Sequence, residues 1–184
     1  YIMKNLFYLF FLPSFVVFAS NNSNNSANQA GTDSTATAAV PDDDVTEFIN
    51  EMLQSGAMEI ELGELAQTKA QNPQVKAFGA MMVRDHTAAG DELKVIAAKK
   101  NIVTAQVLNA NHLDEVEKLK QETGANFDKK YMDMMVSAHK KDIDEFEDMA
   151  KDDEDPDLKA FAAKTLPKLK MHLDSANAIQ KAIK

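Results

Sequence analysis

The sequence predicts an all-α protein: a four-helix bundle with a short extra helix in the connection between its second and third helices. Three observations predict it. Four stretches of about 26 residues carry apolar side chains at helical spacing. Two of the breaks between them, Asn72-Pro73 and Asp155-Pro156, pair a capping residue with the proline that opens a helix. No segment of the folded part alternates like a strand or carries a glycine-rich phosphate loop.

Before the bundle, Lys4 and the apolar run Leu6 to Phe18 have the form of an export leader, with the small residue Ala19 ahead of the cut. Residues 1–19 are therefore expected to be a signal peptide. The run is short for a span of roughly 20 residues, and Pro13 interrupts it. Residues 20–41 are polar, small and almost uncharged, the composition of a disordered linker. The bundle domain occupies residues 42–184, and the expected compartment is the periplasm or cell envelope.

The first helix is expected from about Val45 to Gln71, with Asp42, Asp43 and Asp44 at its positive end. Its inward stripe reads Val45, Phe48/Ile49, Met52, Ser55/Gly56, Glu59, Leu62/Gly63 and Ala66, so a carboxylate falls inside it. The second helix, about Gln74 to Lys100, turns Phe78, Met82, His86, Ala89 and Leu93 inward. The long connection that follows, Asn101 to Thr123, predicts a short helix at Leu113 to Glu122, with Asn111 as cap and Gly124 as its close. The third long helix, about Asn126 to Lys151, buries Phe127, Tyr131, Met135, His139, Asp142 and Phe146. An acidic turn, Asp152 to Asp155, leads to the last helix, about Asp157 to Ile183, whose stripe includes Leu158, Phe161, Leu169, His172 and Ala176. Pro167 lies within it and removes one backbone hydrogen bond, so a kink or bulge is expected. Four long helices with one long crossover describe a ferritin-like bundle.

Polar residues in three apolar stripes and a glutamate in the fourth make the candidate site. Glu59 lies 13 residues before Asn72 and His86 lies 13 after Pro73. Both therefore stand roughly 20 Å from one turn, at about 1.5 Å per residue. His139 is 14 residues before Asp153 and His172 is 17 after Asp155, a mismatch of about 4–5 Å at that rise. Glu59, His86, His139 and His172 thus share a height near the middle of the bundle. Imidazoles with one carboxylate suit zinc, copper, iron or nickel, and bundle interiors are common places for such sites. Asp85 and Asp142 are expected to orient the rings from outside. The plainer alternative is a Glu59–histidine hydrogen-bond network that serves only the core. The helical methionines read as core fillers, and His112 receives no role.

Composition narrows the function classes. Cysteine is absent, which removes disulfides, thiolate metal sites and cysteine nucleophiles. A lipid anchor lacks its cysteine as well. The net charge of −9 disfavours nucleic acid and anionic membrane as partners and favours cations.

The strings MEIELGELA (Met58 to Ala66), MMVRDHT (Met81 to Thr87), GANFDKKYMDMMVSAH (Gly124 to His139) and LPKLKMHL (Leu166 to Leu173) resemble the DUF4142 family. These are exported bacterial domains, often labelled predicted outer membrane proteins. The resemblance spans Asp43 to Ile183 and implies a ferritin-like fold and an envelope location, with no settled activity. Ferritin-like di-iron centres place Glu three residues before each ligand histidine. Here Val83, Val136 and Leu169 stand there, so a ferroxidase or oxygenase centre is not expected. Three functions remain, in descending order: a non-enzymatic metal-binding protein, a structural or interaction module of the envelope tethered by its linker, and a small redox enzyme.

Overall fold

The computed structural model describes residues 43–183 apart from 106, 153 and 154; the expected signal peptide and linker lie outside these. Five helices follow in order: α1 (Asp43–Lys69), α2 (Pro73–Lys99), α3 (Ala110–Lys120), α4 (Gly124–Asp152) and α5 (Pro156–Ala182). No strand occurs among the described residues, and none of their helices is long and apolar enough to cross a membrane. The four long helices form the bundle, α1 packing chiefly on α2 and α4 on α5.

The two hairpin turns are built as their sequences require. Asn72 accepts the Gln74 amide ahead of Pro73, and Asp155 accepts those of Asp157 and Leu158 ahead of Pro156. Asp128 of α4 adds a brace, because its carboxylate accepts the Gln71 amide at 3.0 Å and the Asn72 amide at 2.8 Å. Along the same hairpin Gly63 and Gly79 bring α1 and α2 into backbone contact. A Cβ on either would lie 2.7 Å from the other's carbonyl oxygen.

The crossover differs from expectation in its details. Asn101, at φ 58°, turns the chain out of α2. Asn50 and Gln54 of α1 then accept the amides of Ala105 (2.8 Å) and Asn109 (2.7 Å), which lays the connection along α1. Asn109, not Asn111, caps α3, its side chain taking the His112 amide at 2.9 Å. With Asn109 already held by Gln54, α3 begins earlier than its apolar residues indicated. Its end is Gln121, and Gly124, at φ 61°, makes the left-handed turn into α4. α5 runs as one continuous helix through Pro167.

The core has two apolar halves. Leu62, Phe78, Met82, Val116, Phe127, Tyr131 and Met135 fill the half nearer the α1–α2 turn. Phe48, Ile49, Leu93, Phe146, Leu158 and Phe161 fill the other. Removing one such fully buried side chain, Leu62→Ala for example, costs about 2–5 kcal/mol. Between the halves every long helix switches to polar residues: Ser55 and Glu59 on α1, Asp85 and His86 on α2, His139 and Asp142 on α4, Thr165 and His172 on α5. All eight are buried.

Candidate metal centre

Each long helix sends one of the four sequence-predicted residues into this polar layer, and they meet. Glu59 Oε2 lies 3.0 Å from Nδ1 of His86, and Oε1 lies 3.0 Å from Nδ1 of His139. The three rings are 5.3–5.6 Å apart between centroids. One nitrogen from each imidazole falls within 4.8 Å of the other two. Glu59 is not part of that convergence; it faces Nδ1 of two rings. Its oxygens are close to these nitrogens but aligned with no N–H, so both remain without a hydrogen bond.

Burial sets the charge states. It pushes all three imidazoles below their usual pKa, His86 to about 3 and His139 to about 4. Mutual repulsion reinforces burial for His86, whose neighbours are His139 and His172, and for His139 beside His172. For His172 the Asp85 carboxylate opposes it. Burial, then the nearby Asp142, lifts Glu59 well above the carboxylate range. Burial also lifts Asp142 to about 7, although Ser55 donates to its two oxygens at 3.1 and 3.2 Å. At neutral pH the layer therefore presents neutral imidazoles, the form that coordinates metals.

The tautomers follow from partners that can only accept. His139 Nδ1 is 2.9 Å from the Met135 carbonyl, so the proton sits there and Nε2 is a lone pair. His172 Nε2 is 3.0 Å from Asp85 Oδ2. Burial works against the Asp85 charge, but hydrogen bonds from Arg84 and His172, with Lys168 nearby, hold it down at about 2. Being ionised, Asp85 accepts from Nε2–H, which leaves His172 Nδ1 as the lone pair. These two lone pairs face each other at 3.3 Å. His86 Nε2 is buried nearby with no partner. Three neutral nitrogens converge, two of them lone pairs turned on one another, a donor set that fits a cation.

Asp85 thus orients a ring, that of His172 rather than of its neighbour His86. Asp142 is bound to Ser55 and touches none of the three rings by a hydrogen bond. The sequence places Ser55 and Met135 inward without giving them a part in the site, and it gives no sign of Arg84 and Lys168 there. Ser55 carried a signal, since it sits one turn before Glu59 on the same stripe. His112 lies on α3 with a buried Nδ1 and is not part of the histidine cluster. Met52, Met58, Met82, Met132 and Met135 are core residues, whereas Met171 is exposed. A cavity of about 390 Å³ adjoins the cluster and reaches His86, His172 and Asp142.

No curated protein matches the chain in sequence. Two solved structures share its fold. One is a DUF305 fragment from Deinococcus radiodurans, with 12% identity and a TM-score of 0.68 over 77% of this chain and 97% of that one. The other is CopM in a Cu(II)-bound form, with 17% identity and a TM-score of 0.66 over 76% of this chain and 97% of that one. Identities this low speak for the fold, a ferritin-like helical bundle. The family described as "Domain of unknown function (DUF4142)" matches residues 29–179, most of the sequence, and to that family the chain belongs.

Proposed function

We propose that this protein binds one divalent transition-metal ion in its bundle core and is not an enzyme. His86, His139 and His172 supply the donors, and Glu59, 3.0 Å from Nδ1 of two of the rings, stands outside their convergence as a carboxyl group beside the site. The lone-pair contact between His139 Nε2 and His172 Nδ1 at 3.3 Å carries this reading. Both tautomers are fixed by outside acceptors, so an internal proton cannot bridge the pair without charging an imidazole that burial keeps neutral. Asp85 behind His172 is the arrangement by which metal sites orient a ligand histidine.

Among divalent ions an imidazole-rich site favours copper, by the general affinity order, and imidazole also suits zinc. The fold neighbour in a Cu(II)-bound form makes copper the first ion to try. No glutamate stands three residues before any of the three histidines, as the di-iron pattern requires, which favours binding over oxygen activation. Export to the periplasm or cell envelope is part of the proposal and rests on the leader-like stretch ending at Ala19.

Protein purified without a histidine tag, incubated with Cu(II) or Zn(II) and desalted, decides the matter by metal analysis. A single tightly held ion per chain, lost in His86→Ala, is the expected result. A wild-type protein that retains no ion, with His86→Ala destabilising the fold, would leave the cluster as a core network instead.

A further inference from the structure

The cavity beside the cluster has two unlike ends. His86, His172, Asp85, Asp142 and Lys168 belong to a polar end, while Leu93, Phe146 and Phe161 belong to the apolar half of the core beyond it. Its volume of about 390 Å³ is well above the roughly 150 Å³ of an apolar cavity that accepts benzene. It also falls within the range of about 300–1,000 Å³ usual for small-ligand pockets. Two glycines in helix interiors keep it open, although glycine weakens a helix interior relative to alanine. A Cβ on Gly56 would meet His86 Nδ1 at 3.7 Å, and one on Gly90 would meet only Leu53, at 4.0 Å. Neither glycine is required by a close helix contact, in contrast to Gly63 and Gly79.

We infer that this cavity receives a small carboxylate with an apolar or aromatic body, whose head group binds the metal from the cavity side. The inference rests on the metal reading. Three converging nitrogens are fewer donors than the four or more that copper or zinc ordinarily takes. Two of the three imidazoles line the cavity, so it is the side from which a further donor arrives. A divalent ion adds two positive charges beside neutral imidazoles, and Asp85, the ionised carboxylate of the lining, is already paired with Arg84 and Lys168, so the head that completes the ion's coordination is anionic. The phenyl rings of Phe146 and Phe161 and the Leu93 side chain suit an apolar body.

The test uses full-length protein loaded with Cu(II), its metal content measured first, and the copper visible band followed during titration with benzoate and with acetate. Benzoate is expected to shift the band saturably and to bind at least about tenfold more tightly than acetate, because its ring leaves water. Gly90→Leu, which fills the cavity, is expected to abolish that preference while metal content stays the same. If this variant does not fold, the comparison of the two acids on the wild type decides alone. A copper-loaded protein whose band benzoate leaves unmoved, or moves no more readily than acetate, overturns the carboxylate site and leaves the metal reading standing. Failure to take up copper or zinc overturns both.

Discussion

Asp85 on α2 passes over its sequence neighbour His86 and accepts the Nε2–H of His172, on α5, at 3.0 Å. Adjacent residues on a helix point about 100° apart, so the two side chains serve different neighbours. Arg84 grips the same carboxylate through two hydrogen bonds, at 2.9 and 3.0 Å. In Asp85→Asn the acceptor charge and the Arg84 pairing are lost, and the His172 tautomer is no longer enforced. Metal affinity is expected to fall by about 10–100-fold, the usual cost of losing such an orienting group. Competition titration against a chelator reads it, and circular dichroism should show an unchanged fold.

His139→Leu separates function from stability. It removes a lone pair turned on another lone pair and replaces it with an apolar side chain of similar size. The metal-free variant is expected to be as stable as the wild type or about 1 kcal/mol more so at pH 7, and unable to hold metal. The sign at lower pH follows from burial, which holds the folded pKa of His139 near 4, below its unfolded value. The stability associated with neutral His139 is complete above about 6.5 and is lost as pH falls toward 4. The advantage of the variant in urea denaturation should therefore grow between pH 7 and pH 5.

Asp142 has the opposite slope. Burial raises its folded pKa from 3.8 to about 7, so folding is penalised progressively as pH rises between these values. Asp142→Asn keeps an acceptor for the Ser55 hydroxyl and removes the charge. In the metal-free protein it should be near neutral at pH 4. At pH 8 it should be stabilising by up to about 4 kcal/mol, because each tenfold change in proton affinity is worth about 1.4 kcal/mol. Denaturation midpoints measured at both values check the difference.

The glycines make a paired prediction. Gly63→Ala drives a methyl group to 2.7 Å from a backbone oxygen that cannot turn aside, and to 3.1 Å from Val83. It should cost about 1–3 kcal/mol by forcing α1 and α2 apart. Gly90→Ala meets only Leu53 at 4.0 Å and should stabilise by about 0.5–1 kcal/mol. Thermal melts of the two variants should move in opposite directions.

Asp128→Ala releases the Gln71 and Asn72 amides at the first hairpin turn. A loss of about 1–3 kcal/mol is expected, since Asp128 is buried and two donors lose a charged acceptor. Hydrogen exchange at these amides should accelerate more than exchange in the middle of α1.

Counting residues from the two capped prolines was enough to put Glu59, His86, His139 and His172 at one height. Helical rise is constant and both turns are short. The offset of about 4–5 Å expected for His139 and His172 from that rise closes to 3.3 Å between ring nitrogens, because side chains span such gaps. Which atom faces which was beyond the pattern. The Asp85–His172 bond links helices far apart in sequence and depends on how α2 and α5 are rotated. Asn109 and Asn111 are equally good caps by residue type, and the choice was made by Gln54 on another helix. The cavity was illegible for a related reason: Gly56 and Gly90 look like weak points within helices until their surroundings are known.

Because α1–α2 contributes Glu59 and His86 while α4–α5 contributes His139 and His172, neither hairpin contains the whole cluster. An ion held there would act as a rivet through both, and nascent or clipped chains would be poor competitors for it. Tight retention then certifies a finished tertiary structure. Any free energy gained from the ion goes directly into holding the two halves together.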